Sequence, residues 1–235
     1  MIERYLPELS TYAGNIDFLI NTILVLVGFW FILCEVVFFW LIFRFRKREG
    51  SVPAYITGEE KSQKRWITIP HMFVLVFDVI IVVIAVKVWY DVKQDLPPAD
   101  QTVRVVAQQW AWTFAHPGPD GELDTPDDIV TVEELHVKVG SVYHFKLESR
   151  DVLHSFSVPV FRLKQDAIPG RVITGWFEAT KTGTYDVQCA EICGIGHALM
   201  PARIVIETPE EHAAWMAQKA PISIAAVAGP PSARE

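Results

Sequence analysis

The sequence predicts a two-helix transmembrane hairpin followed by an all-β sandwich or barrel domain outside the membrane. Three observations carry this expectation. Two long apolar runs lie near the N-terminus of the 235-residue chain, a basic connector joins them, and the remainder breaks into short β-branched and aromatic segments separated by Gly, Pro and Asp. The length suits one domain of ordinary size plus accessory segments.

Residues 1–17 read as a short outer tail. Residues 18–43 are almost wholly apolar, interrupted by Asn21, Thr22 and Glu35, and residues 67–90 contain a second run from Ile67 to Val88. A helix of about 20 apolar residues, rising 1.5 Å each, crosses the ~30 Å hydrocarbon layer, so both runs suffice. Residues 44–66 form the connector and carry Arg44, Arg46, Lys47, Arg48, Lys61, Lys64 and Arg65, whereas the tail has Arg4 alone. Basic residues stay inside. The expectation is therefore a multi-pass protein of a bacterial-type inner (plasma) membrane, with a cytoplasmic connector and both termini on the outer, periplasmic face. The first run is too long for a signal peptide and no small-residue cleavage site follows it. Within the lipid, Glu35 and Asp78 read either as neutral, hydrogen-bonded acids or as a proton relay.

Residues 91–100, with Pro97-Pro98, read as a stiff linker. The outer domain occupies residues 101–207. Its strand-like segments include Thr102–Ala107, Ile129–Val137, Val142–Glu148, Val172–Glu178, Thr184–Gln188 and Ala202–Ile206, and their spacing argues a sandwich or barrel. Residues 208–219 suit a short terminal helix. Residues 220–235, rich in Ala, Pro and Ser, suit a disordered tail. Net charge is −7, and residues 95–235 alone carry 19 acidic and 11 basic side chains, near −8. Such a surface argues against nucleic acid as a partner and reads either as attracting a basic one or as serving solubility alone.

The chemistry concentrates in Gln188–Met200. Cys189, Glu191, Cys193, His197 and Met200 fall within twelve residues, and His154 stands upstream. Thiolate, imidazole and thioether form a soft set suited to copper rather than to Mg²⁺ or Ca²⁺. The two cysteines have two readings at this point: a disulfide, in keeping with an oxidising compartment, or two thiolates bridging two metal ions. His116, His136, His144 and His212 lack such companions and read as surface or core histidines. No Cys-x-x-Cys-His haem-attachment motif occurs, so no haem is expected in this chain.

These motifs resemble subunit II of the haem–copper oxidases, the subunit that carries the binuclear CuA centre. The resemblance runs through Trp66-Ile-Thr-Ile-Pro70, Gln109-Trp-Ala-Trp112, Asp151-Val-Leu-His154, Lys164-Gln-Asp-Ala-Ile-Pro-Gly-Arg171 and the Cys189–Met200 loop. It implies a cupredoxin-like domain in which Cys189 and Cys193 bridge two coppers. His154 and His197 would bind one copper each, Met200 one of them, and the backbone carbonyl of Glu191 the other. It also implies Mg or Mn on the Glu191 side chain at the boundary with subunit I. Trp110 would accept the electron from cytochrome c or another small redox protein, for delivery to haem in subunit I and reduction of oxygen. Such a chain is part of an oxidoreductase and not catalytic alone.

Two departures from the family pattern stand out. Gln108 and Ala111 replace the His and Tyr common around the first tryptophan, and Gln63 replaces a Glu common at a proton-channel mouth, a role that Glu59 or Glu60 could take instead. A CuA subunit of a nitric oxide reductase would share the whole design. A membrane-anchored copper chaperone of thioredoxin fold would instead place its cysteines early in the domain, among helices. Finally, Asp120, Glu122, Asp124, Asp127 and Asp128 read either as a solvated loop or as a docking surface for a basic donor near the copper end.

Overall fold

The computed structural model describes residues 5–52 and 55–219; the expected tail at 220–235 lies outside them. The chain divides into two compact units. The first holds the apolar helices α1 (Ala13–Arg44) and α2 (Lys61–Trp89). Their most apolar windows have mean hydropathies of 2.5 and 2.7 and bury nothing within the protein, unlike the core helix of a soluble domain. Length and composition suit a membrane anchor. Trp30 of α1 meets Phe77 of α2 edge to face at 5.8 Å. Both helices begin before the apolar runs do, because Ala13–Asp17 and Lys61–Trp66 continue the helical turn without contributing much hydrophobicity. Gln63, in the first turn of α2, accepts a hydrogen bond from the Gly58 amide at 2.7 Å, so it organises the approach to the helix.

The second unit is a β-sandwich of ten strands: β1 (Gln101–Gln108), β2 (Ala111–His116), β3 (Ile129–Val132), β4 (Glu134–Lys138), β5 (Val142–Ser149), β6 (His154–Val158), β7 (Leu163–Ala167), β8 (Ile173–Glu178), β9 (Gly183–Cys189) and β10 (Ala202–Glu207), closed by helix α3 (Pro209–Lys219). One sheet has the order β3-β2-β1-β5-β8 and the other β4-β10-β9-β6-β7. Strands β1 and β5 pair in parallel, as do β4 and β10, and the remaining pairings are antiparallel. β5 alternates strictly between half-buried and buried residues, the period-2 pattern of a strand with one face on a core. The expected single strand at Ile129–Val137 is two strands in different sheets. Glu133 between them takes a left-handed φ of 62°, which turns the chain from one sheet into the other.

Aromatic side chains fill the space between the sheets. Trp112, Phe114, Phe145, Phe156, Phe161 and Phe177 are all fully buried. Phe156 touches Trp112, Phe114 and Phe145 edge to face at 5.6–6.4 Å. Each large buried side chain contributes about 1.5–3 kcal/mol, so this cluster is the rigid floor on which the site described below rests.

The N-terminal segment, expected as a short outer tail, is held by specific contacts. Residues 5–14 belong to the β unit. Leu9 N donates to Val160 O, Thr180 N donates to Leu9 O and Thr11 N to Glu178 O, at 2.9–3.2 Å. Leu9 and Tyr12 are buried, and Tyr12 packs edge to face on Trp176 at 5.1 Å. The segment thus straps the seam between the end of β8 and the turn after β6. Its apolar residues Leu9 and Tyr12 are too few to register as a periodic pattern, yet they find partners in three dimensions. The linker is pinned too: Trp176 Nε1 donates to Val92 O, and His144 Nε2 donates to Pro97 O, at 3.0 and 2.8 Å.

Candidate metal centre

Two segments distant in sequence converge at one end of the sandwich. His154 opens β6, and the loop from Cys189 to Met200 follows β9. The two strands pair with Phe156 opposite Cys189, which brings His154 alongside the first cysteine. His154, Cys189 and Cys193 form a group able to hold a metal ion, their donor atoms all within 4.8 Å of one another.

The donor atoms arrange around the two sulfurs. Cys189 Sγ and Cys193 Sγ stand 3.9 Å apart, far beyond the ~2.05 Å of a disulfide; both thiols are free. His154 Nδ1 lies 3.9 Å from Cys189 Sγ, and the Glu191 carbonyl accepts from the same thiol at 3.3 Å. His197 Nδ1 lies 3.6 Å from Cys193 Sγ and Met200 Sδ 3.3 Å from it. Metal–sulfur and metal–nitrogen bonds of about 2.3 and 2.0 Å leave neighbouring donors roughly 3.5–4 Å apart. The set therefore fits soft metal ions held between shared thiolates. Cys193 and Met200 are buried. Burial, followed by the neighbouring Cys189, pushes the Cys193 thiol up to about 11, so metal binding at neutral pH displaces its proton.

An outer layer holds these donors. Asp151 Oδ1 accepts from His154 Nε2 at 2.9 Å, which leaves Nδ1 facing the sulfurs. Asp151 Oδ2 accepts from the Gln109 amide at 2.7 Å. Partial burial opposes ionisation of Asp151, but bonds from Gln109, His154 and Val152 hold its carboxyl below the usual range. Trp112 Nε1 donates to Met200 O at 3.1 Å. Trp110 sits in the two-residue hairpin between β1 and β2, about one-third exposed, with its ring flat against Gly196: a Cβ there would overlap the indole. In the sequence Gln109, Trp112 and Asp151 fall within the family-like motifs without any sign of these contacts. Their partners are backbone carbonyls and a ring nitrogen, which leave no pattern in the chain.

The five acids at 120–128 are not brought to this end. They lie in the loop between β2 and β3, beyond His116, and β2 puts about 17 Å between that end and the Trp110 hairpin. Asp124 forms a two-pronged pair with Arg104 at 2.7–2.8 Å, and Thr125 Oγ1 donates to Asp127 at 2.7 Å. Local hydrogen bonding fixes the loop where it is.

Fold and site together define a class: a membrane-anchored β-sandwich presenting a sulfur-rich centre for soft metal ions. Residues 122–208 match the family described as cytochrome c oxidase subunit II, periplasmic domain. The alternative cytochrome c oxidase subunit 2 of Bradyrhizobium diazoefficiens is 34% identical over 234 residues, covering 90% of this chain and 82% of that one. Cytochrome c oxidase subunit 2 of Cereibacter sphaeroides is 29% identical over 242 residues, covering 90% and 78%. The crystal structure of the periplasmic domain of subunit II of cytochrome oxidase of Bradyrhizobium japonicum is 34% identical, covering 53% of this chain and 96% of that one with a TM-score of 0.48. The chain belongs to the cytochrome c oxidase subunit II family.

Proposed function

We propose that this chain is the electron-accepting subunit of a respiratory haem–copper oxidase, with a binuclear CuA centre held by His154, Cys189, the Glu191 carbonyl, Cys193, His197 and Met200. The observation that carries the reading is the grouping of all six donors around two free thiols 3.9 Å apart. Copper bound by these residues would supply a one-electron centre whose redox change needs little bond rearrangement, because Cys189 and Cys193 would both contribute to holding it. The protein's part is to hold the six donors rigidly, keep water from Cys193 and Met200, and present Trp110 at the surface to a donor such as cytochrome c. The electron would then pass to haem in subunit I for the reduction of oxygen. The Glu191 side chain would hold Mg or Mn at that boundary.

The membrane-crossing parts are residues 18–43 and 67–90, and the CuA domain faces outward. The basic connector supports this orientation, and the packing of residues 5–14 on the β unit puts that N-terminal segment on the same side as the domain. A nitric oxide reductase is the second reading, favoured by Gln63, which cannot titrate and is engaged with Gly58. Purifying the complex from membranes tests both. Two coppers per chain with a mixed-valence resonance, and oxygen consumption with reduced cytochrome c, support the first reading. Nitric oxide consumption without oxygen consumption supports the second, and one copper with a blue mononuclear spectrum overturns both.

A further inference from the structure

We propose that Gln109 is a positioning residue that locks the two halves of the copper site together. The inference rests on the CuA reading above and concerns how the ligands are held.

His154 and Cys189 are fixed by paired strands. The stretch from Cys193 to Met200 is not: its own backbone bonds are the short-range His197 N to Gly194 O and Leu199 N to Gly196 O. Its anchors come from β2 and from the hairpin before it. Trp112 holds the far end through Met200 O. Gln109 holds the near end, its Nε2 donating to Cys193 O at 2.7 Å. Between these points the Trp110 ring lies on Gly196, and the Gln109 amide group approaches Gly194, which sits at a φ of +124°. No β-carbon intervenes at either glycine. The hairpin itself cannot slide, because Gln108 pairs with Ala111 in the β1–β2 register.

Gln109 also acts in the other direction. Its backbone amide donates to Asp151 Oδ2, whose other oxygen orients His154 Nε2. One residue therefore reaches a bridging thiolate's backbone with its side chain and the opposite imidazole through one carboxylate. Because Cys193 would be shared by both metals, a shift of its backbone changes both halves at once. The neighbouring Gln108 supplies the contrast: its Oε1 accepts from Arg150 rather than from the loop.

The test uses the full-length chain in the purified complex, with Gln109→Met (equal length, no donor) and Gln109→Glu (equal shape, a carboxylate facing the carbonyl), and Gln108→Met as control. Both Gln109 variants should retain two coppers. Their hyperfine pattern should show unequal sharing of the electron, their reduction potential should shift, and a chelator should remove copper about 2- to 10-fold faster, the range one such hydrogen bond supports. Gln108→Met should match wild type. In metal-free protein, Gln109→Met should also speed alkylation of Cys193, a readout independent of copper. Wild-type hyperfine pattern, potential, chelation rate and alkylation rate in both Gln109 variants would overturn the proposal. A wild-type chain without two coppers, whose Cys193 is nonetheless unlocked by Gln109→Met, would overturn the CuA reading and leave the anchor standing.

Discussion

Cys193 is where the chemistry of single residues is most exposed to test. It is buried, its thiol is held protonated by its surroundings, and it touches both His197 and Met200. Cys193→Ser replaces a soft thiol, proposed to be shared by two coppers, with a hard hydroxyl. The expected outcome is loss of the two-copper resonance, checked by metal analysis and electron paramagnetic resonance, with an unchanged resonance removing Cys193 from the site. Met200→Leu keeps volume and burial while deleting only the thioether, the weakest donor. Both coppers should stay and the potential should shift, measured by redox titration. At this scale the cluster of candidate donors was legible in the sequence because cysteine, histidine and methionine at close spacing have few other uses together. The residues that hold them were not, since Gln109 and Trp112 act on carbonyls whose positions only the folded chain reveals.

Elements were legible where they alternate and obscure where they do not. β5 alternates and was plain, whereas β6 is buried at four of its five positions and β7 is a polar edge strand, Leu-Lys-Gln-Asp-Ala. The N-terminal strap carries no period at all. Its role is testable through Leu9, which is 1% exposed. Leu9→Ala leaves a cavity costing about 2–5 kcal/mol, and should lower the thermal midpoint of the full-length protein by roughly 5–15 °C. An unchanged midpoint would show that the strap is peripheral. Helix α3 is seated differently, by a histidine cluster. Glu207 accepts from His136 and His212 at 2.8–2.9 Å, and Trp215 stacks on His136 at 4.2 Å. Beside them, burial, then the nearby His136 and His212, lower His116 to about 3. The folded state therefore keeps His116 neutral while the unfolded chain protonates it near 6.5. Between those values the unfolded state binds more protons, so stability falls as pH falls from about 6.5 toward 3 and is fully present above 6.5. The loss is about 1.4 kcal/mol per pH unit for this one group. Urea midpoints at pH 7.5 and 5 should separate in the wild type and draw together in His116→Phe. Equal separation in both proteins would place the acid sensitivity elsewhere.

At the scale of the whole molecule, two compact units follow from two composition regimes, apolar runs and strand-like segments, and both were plain in the sequence. The direction in which charge acts was less so. Residues 95–235 carry a net charge near −8, which would favour a basic donor, but the five acids at 120–128 lie at the far end of β2. Even Asp124, the acid tied to β1, is paired with Arg104, four residues or about 14 Å from the hairpin. Distance against screening decides what these acids can do. The Debye length is about 30 Å at 0.01 M salt and about 10 Å at 0.1 M. A field from ~17 Å away thus reaches the Trp110 surface at the lower salt and is largely screened at the higher. Neutralising Asp120, Glu122, Asp124, Asp127 and Asp128 together should slow donor association several-fold at 0.01 M and leave it near the wild-type rate at 0.1 M, with turnover at saturating donor unchanged. Trp110→Gln should slow electron transfer at every salt concentration, because it removes a surface contact and a coupling element rather than a distant attraction. Stopped-flow reduction of the centre across a salt series separates the two. If the five-fold variant still differs from wild type by the same factor at 0.1 M, the donor binds on the loop itself, and if it never differs, the steering charge resides on other acids.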